Sequence, residues 1–331
     1  MKSCSVAVVG ATGLVGRKMI QVLQERRFPV ASLRLLASKK SAGMRLPFNG
    51  TEYTVEELTP DSFTGIEVAL FSAGASVSKQ FAPHAVRAGA LVIDNSSAYR
   101  MDDTVPLVVP EVNRPMIFRH NGIIANPNCS TIQMVVPLKP LHDRWTITRI
   151  VVATYQSVTG AGKKGLSQLE EEVAGRTAPE MKFPHQIAFN ILPQVDVFLD
   201  DGYTKEEHKM MDETKKIMGD AAIRVNATCV RVPVWGGHSE SVSVEFERPY
   251  DLAEAKELLR RTPGVVVQDE PRTSMYPMPI NAWEKDEVFV GRIRRDDTVP
   301  SGMTLWVVAD NLRKGAATNA VQIAEEWIKG S

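Results

Sequence analysis

The run SVAVVGATGLVG, from Ser5 to Gly16, constrains this chain most. Ser5–Val9 is a short β-branched run of strand length. Gly10, Gly13 and Gly16 follow at three-residue spacing. Residues 17–27 then carry Met19, Ile20, Val22 and Leu23 at helical spacing. A strand, a glycine turn and a helix in that order open a βαβ unit. Glycine permits the sharp turn and lets a phosphate approach the main chain. The helix start offers N–H groups and partial positive charge to an anion. The pattern points to dinucleotide binding, and the alternative is a tight turn with no ligand.

The rest of the first half continues the alternation. Leu33–Ala37, Ile66–Phe71 and Ala90–Ile93 are apolar runs of strand length, and Val77–Ala88 reads as a helix. That order implies a parallel sheet with right-handed crossovers. The texture changes near Asn126–Cys129, where a domain boundary is expected. Beyond it Ile147–Ala153, Ala227–Val234, Ser241–Phe246, Val265–Val267, Val288–Ile293 and Leu305–Ala309 are strand candidates. Several lack room for a full crossover, which favours a mixed sheet. Thr204-x-x-Glu207 and Asp251-x-x-Glu254 signal helix starts. Residues 315–328 read as one amphipathic helix, expected to pack back on the first domain. The fold class is therefore α/β: an N-terminal Rossmann-like dinucleotide-binding domain, then an α+β domain with a mixed sheet.

Composition excludes several function classes. With 331 residues the chain has room for two domains. Lysine plus arginine equals aspartate plus glutamate at 39 each, so neither nucleic acid nor an acidic membrane is an expected partner. No apolar run approaches the ~20 residues of a membrane span. The cysteines, Cys4, Cys129 and Cys229, show no C-x-x-C spacing, which argues against a disulfide framework or a metal site and for a cytoplasmic chain.

The second strand, LRLLA, ends in Ser38-Lys39-Lys40-Ser41. An NAD site carries an acid there for the ribose 2′-hydroxyl. No acid is present, and lysines can pair with a 2′-phosphate, so NADP is the expected cofactor. The alternative is that these lysines line an ordinary solvated loop.

Cys129 follows Asn126-Pro127-Asn128 and precedes Ser130 to Leu138, a run suited to a buried helix. Proline turns its predecessor away from helix, so Cys129 falls at a helix N-terminus, whose field favours a nucleophilic thiolate. The bland reading of such a cysteine is a small buried hydrophobe. Pro137 lies inside the expected helix and should kink or end it. His238 follows two glycines in a loop between strand candidates, where it can serve as a base. Arg231 interrupts the apolar run CVRVPV and needs an anion, either a substrate carboxylate or a structural acid. Cys229, on the same strand face, is the rival nucleophile and lacks the helix start.

Five stretches together resemble one family. They are GATGLVG at 10–16, DNSSAYRMD at 94–102, NPNCSTIQ at 126–133, YQSVTGAGKKG at 155–165 and CVRVPVWGGHSE at 229–240. In this order they resemble aspartate-β-semialdehyde dehydrogenase over essentially the whole chain. The resemblance implies reduction of L-aspartyl-4-phosphate to aspartate semialdehyde with NADPH, on the route to lysine, methionine and threonine. It implies Cys129 as the acyl-thioester nucleophile, His238 as general acid/base and Gln156 as the group orienting the acyl carbon. Arg231 matches the residue for the substrate α-carboxylate, Glu206 the partner of its amine, and Arg100 with Lys209 the phosphate pair, with Asn95 nearby. Glu207 competes with Glu206, but its spacing from Thr204 fits a capping box. Thr12, Gly13, Leu14, Val15, Lys40, Ser41, Thr159, Gly160 and Asn311, with Gly10 at the turn, match positions that hold NADP. The family precedent is a homodimer, in some members a tetramer. On this basis residues 1–127 with a C-terminal helix 313–331 form the NADP-binding domain, and 128–312 the catalytic and dimerisation domain. Phosphorylating glyceraldehyde-3-phosphate dehydrogenase is a distant rival with a different cysteine motif, and two nearer rivals differ in kind. N-acetyl-glutamyl-phosphate reductase shares the plan but has no use for Glu206, and a non-catalytic regulator would have none for Cys129, Gln156, Arg231 and His238 together.

Overall fold

The computed structural model of the chain describes residues 3–330. Two compact units result, one reaching Asn128 and resuming at Ala316, the other running from Cys129 to Gly315.

The first unit begins with β1 (Cys4–Val9), α1 (Leu14–Glu25) and β2 (Val30–Ala37). A short 3-10 turn over Lys39–Ser41 leads into β3 (Arg45–Phe48) and β4 (Thr51–Glu57). This hairpin was not expected. Its turn is Asn49-Gly50, both at positive φ, the pairing that tight hairpins favour. Then come β5 (Val68–Phe71), α2 (Ala75–Arg87), β6 (Leu91–Asp94), the one-turn α3 (Pro110–Asn113) and β7 (Ile123–Ala125). Among the described residues these strands form one seven-stranded sheet, β3-β4-β2-β1-β5-β6-β7, parallel except for the hairpin. The chain builds outward from β1 to β2, then crosses back to place β5 on the other side of β1. Ligands of such sheets bind at this reversal, beyond the carboxyl ends of the strands. The glycine turn after β1 lies there.

Alternation along β1 feeds two cores. Val6 and Val8 face a core built with Met19, Val22 and Leu23 of α1, whereas Ala7 and Val9 face one built with Ala82 and Ala85 of α2. Burial on both faces explains why the strand reads as a continuous apolar run. At the turn, a Cβ on Gly16 would lie 2.2 Å from the Gly10 carbonyl oxygen, so only glycine lets α1 start this close to the strand.

The second unit begins with α4 (Cys129–Trp145) and β8 (Ile147–Gln156), then α5 (Lys163–Val173) and α6 (Lys205–Met218). There follow β9 (Arg224–Arg231), β10 (His238–Phe246), α7 (Leu252–Arg261), β11 (Val265–Val267), the short α8 (Pro279–Ala282), β12 (Val288–Asp296) and β13 (Gly302–Ala309). The six strands found among the described residues order as β11-β12-β13-β10-β8-β9, parallel at both ends and antiparallel between. The expected mixed sheet is present. α4 packs on this sheet and is buried along most of its length, from Ser130 to Leu138. It continues through Pro137 and Pro140 to Trp145, so of the kink or end expected at Pro137 the end does not occur. A proline costs such a helix a hydrogen bond, on the order of 3 kcal/mol in an isolated case. Packing of Ile132, Met134, Val135, Val136, Leu138 and Leu141 in the core offsets that loss. Thr204 and Glu207 form the expected capping box on α6, and Asp251 caps α7.

One wide π turn over Arg313–Ala317 precedes α9 (Thr318–Gly330). The helix therefore starts three residues later than its pattern suggests. Ala320, Val321, Ile323, Ala324 and Ile328 of α9 belong to the α1 side of the first unit's core, and Arg26 holds Glu325 by two hydrogen bonds of 2.8 and 2.7 Å.

Replacing Gly16 with alanine is expected to push α1 off the turn. Overpacking of this kind costs about 1–3 kcal/mol, which should appear as a lowered thermal midpoint together with weaker nucleotide binding. An unchanged midpoint would mean the turn has slack.

Candidate active site

The residues expected to do chemistry fall into one cluster inside the second unit. Cys129 is the first residue of α4 and is partly exposed. Its backbone is pressed by the π turn: a Cβ on Gly315 would lie 2.9 Å from the Cys129 Cβ. Cys229 is different. It is fully buried on β9, and burial first, then the Glu206 carboxylate, push its thiol far above the usual range. It stays protonated and is a core residue.

His238 is not in a loop. It opens β10 and is wholly buried. The glycines before it form the turn, and the strand takes up the histidine itself. Its Nδ1 accepts a hydrogen bond of 3.1 Å from the Ser157 main-chain N–H. A main-chain N–H can only donate, so Nδ1 carries no proton and the neutral ring holds its proton on Nε2. Burial first, then the nearby Arg231 charge, hold the ring well below the ordinary histidine pKa, so it is neutral. Nε2 has no hydrogen-bond partner among the described residues.

Arg231 ends β9, and its guanidinium is buried. Nη1 donates to the Ser157 carbonyl at 2.6 Å, the Phe183 ring lies 5.7 Å from the guanidinium carbon, and Nε has no partner among the described residues. Burial lowers its pKa, while the Glu206 carboxylate and Cys129 act on it in the opposite sense. Gly160 brings the main chain against both groups, since a Cβ there would lie 2.9 Å from Arg231 Nη1 and 3.2 Å from His238 Nε2. Thr159 and Asn311 complete the frame. The Asn311 side-chain oxygen Oδ1 accepts from Ser157 Oγ, Thr159 Oγ1 and Gly237 N at 3.0, 3.3 and 3.1 Å. Ser157 and Phe183 were not singled out from sequence, although Ser157 lies within the YQSVTG stretch.

Gln156 ends β8 and donates to Thr154 Oγ1 and Glu206 Oε1, both at 3.2 Å. Glu206 also accepts from Lys209 at 3.1 Å, and Lys209 reaches Asp196 at 2.8 Å. Burial alone would lower the Lys209 pKa, but the Glu206 and Asp196 carboxylates outweigh it and raise it. Glu207 is committed elsewhere. Its carboxylate accepts from Thr204 N at 2.6 Å and from Cys229 N at 2.9 Å. Of the adjacent acids, Glu206 faces the cluster and Glu207 caps the helix.

The first unit holds the remaining candidates. The N-cap of α1 is Gly13, with no side chain to bond the first turn at Leu14 and Val15. Ser38–Ser41 carries no carboxylate, Lys40 is exposed, and Thr12 Oγ1 donates to Ser41 Oγ at 3.4 Å. Arg100 is buried and donates to the main-chain carbonyls of Asn126 and Asn95, both at 3.0 Å. The Asn95 side chain accepts from Asn126 at 2.6 Å. No cluster of three or more metal-ligating side chains occurs among the described residues.

Known proteins resemble this chain along nearly its whole length. The model of the semialdehyde dehydrogenase NAD-binding domain matches residues 5–120, and that of the semialdehyde dehydrogenase dimerisation domain matches residues 138–314. Aspartate-semialdehyde dehydrogenase of Aquifex aeolicus is 58% identical, across 98% of each chain. The crystal structure of aspartate semialdehyde dehydrogenase II from Vibrio cholerae, complexed with ASA, superposes with a TM-score of 0.96 at 50% identity, covering 99% of each chain. That of the Candida albicans enzyme with NADP superposes with a TM-score of 0.77 at 27% identity, covering 98% of this chain. With both domain models matched in order and relatives of this identity covering nearly its whole length, the chain belongs to the aspartate-semialdehyde dehydrogenase family.

Proposed function

We propose that the chain catalyses the reversible, NADPH-dependent reductive dephosphorylation of L-aspartyl-4-phosphate to L-aspartate-4-semialdehyde through a Cys129 thioester, in lysine, methionine and threonine biosynthesis. One observation carries this reading. Cys129 at a helix start shares its unit with two buried groups, Arg231 and His238, whose Nε and Nε2 atoms find no partner among the described residues. Buried polar atoms are normally bonded, so such orphans mark where a ligand belongs.

In this reading Cys129 Sγ attacks the acyl carbon, the carbon–sulfur bond forms, and the bond to phosphate breaks. Arg231 takes the substrate α-carboxylate, Glu206 its amine, and Gln156 steers the acyl group. Lys209 and Arg100 are proposed anion ligands. Fixing the reactants in place is worth about 7–11 kcal/mol in well-oriented model reactions. When bound, NADPH supplies the hydride that reduces the thioester. His238 donates its Nε2 proton to the developing alkoxide and takes it back as the thiohemiacetal collapses to the aldehyde and frees Cys129.

NADP fits the first unit on two observations. The start of α1 has a glycine N-cap, which leaves its first N–H groups to an outside anion, and the end of β2 offers lysines and no acid. Gly10, Thr12, Gly13, Leu14, Val15, Lys40 and Ser41 are the proposed contacts there, with Thr159, Gly160 and Asn311 in the second unit. A homodimer is proposed across the sheet face of the second unit that carries Tyr155 and Trp306, whose rings lie 5.4 Å apart.

Phosphate-dependent reduction of NADP with aspartate semialdehyde tests the reaction. Cys129→Ala should abolish it while NADP still binds, and normal turnover by that variant would overturn the assignment. Lys40→Asp should weaken NADPH binding more than NADH binding, measured by fluorescence titration; equal effects would remove the 2′-phosphate reading. The neutral ring of His238 also has a stability signature. The unfolded chain takes a proton there near pH 6.5, whereas the folded ring takes it only at lower pH, so acidification through that window destabilises the fold. His238→Gln should lose stability less steeply than wild type below about pH 6.5 in urea titrations. Parallel slopes would mean the ring titrates normally.

A further inference from the structure

One buried acid plays no part in the chemistry above. Glu240 lies two residues beyond His238 on β10, so the two share a strand face, and it is fully buried. Gln133 lies one helical turn beyond Cys129 on α4, also fully buried. The helix that begins at Cys129 packs against the strand that begins at His238. The Gln133 amide nitrogen donates to the main-chain carbonyl of His238 at 3.2 Å. Its amide oxygen, and both carboxyl oxygens of Glu240, lack a hydrogen-bond partner among the described residues.

An ionised carboxylate and an amide oxygen are both acceptors, and neither can satisfy the other. A protonated carboxyl can, because its O–H donates. Burying a carboxylate without a partner costs several kcal/mol, and proteins avoid that by neutralising the group. The surroundings agree. Across the sheet Glu240 pairs with Thr154 and Val307, which carry no charge. Burial raises its pKa well above the ordinary carboxylate value, and the Gln133 side chain, acting as a hydrogen-bond donor, pulls the other way without cancelling it. Gln133 uses one of its two amide hydrogens to tie α4 to the strand that carries the His238 ring.

We infer that Glu240 is a positioning residue: held as the neutral acid, it donates to the Gln133 amide oxygen, commits the Gln133 nitrogen to the His238 carbonyl, and so fixes the height of Cys129 on α4 against His238 on β10. This rests on the roles proposed above for those two residues. It assigns Glu240 no contact with substrate. Its effect is on geometry, where a misplacement of about 1 Å can cost about 10²-fold in rate.

The test compares Glu240→Gln with Glu240→Leu. Glutamine keeps a neutral donor, so kcat should stay within about threefold of wild type; a loss as large as that in the leucine variant would mean a carboxylate is needed, overturning the neutral-acid role. Leucine keeps volume and removes the donor, so kcat should fall about ten- to a hundredfold. The KM for aspartate semialdehyde and the NADP affinity should stay within a few-fold, because Arg231, Glu206 and the glycine turn are untouched. Wild-type kcat in the leucine variant would overturn the proposal. Infrared difference spectroscopy of wild type minus Glu240→Gln at pH 7 settles the acid's state even if the leucine variant does not fold: a carboxylic-acid carbonyl band is expected, and a carboxylate band in its place overturns the inference. Absence of phosphate-dependent turnover in the wild type would instead strike the proposed reaction and leave the infrared result standing.

Discussion

The site of the second unit depends on one main-chain N–H, that of Ser157. It points at Nδ1 of a buried imidazole and forces the ring proton onto the opposite nitrogen. The carbonyl of the same residue holds Arg231, and its hydroxyl reaches Asn311. One residue therefore sets a tautomer, anchors a guanidinium and ties in a third loop. Main-chain groups suit this task because their polarity is fixed; they cannot exchange roles as a side chain can. The sequence gives no sign of it, since any residue but proline supplies such an N–H.

The adjacent acids Glu206 and Glu207 show how local rules can resolve function. A capping box needs an acid three residues after the cap, and Glu207 occupies that place, bonded both to Thr204 and to β9. Glu206, one residue earlier, sits about 100° round the helix and meets Gln156 and Lys209 instead. The helix start, chosen by ordinary capping chemistry, decides which carboxylate closes the cap and which turns toward Gln156 and Lys209. The capping role of Glu207 was legible from spacing alone, whereas a ligand role for Glu206 was implied only by the family resemblance.

Other features were legible only in part. The strand–turn–helix opening and the mixed second sheet followed from period and turn chemistry. The hairpin of β3 and β4 carries an Asn-Gly turn that names it in the sequence, yet its strands RLPF and TEYTVEE read as polar because the hairpin forms the sheet's edge. The helix runs on past Pro137, where propensity counts the lost hydrogen bond and not the burial around α4. His238 was assigned to a loop because two glycines precede it; where the strand begins depends on its pairing with Ala309 on β13, a partner distant in sequence. Gln133 and Glu240 were invisible for the same reason, since their meaning arises only where helix and strand lie side by side.

The place of α9 has a consequence for how the polypeptide comes into being. It fills the core of the first unit, yet is made after the whole of the second. Synthesis proceeds from the N-terminus, and domains tend to fold as they emerge. The nucleotide-binding unit must therefore wait on the ribosome with one apolar flank open while the catalytic unit forms downstream. The part translated first is the part finished last, and that exposed flank is where a chaperone would find it.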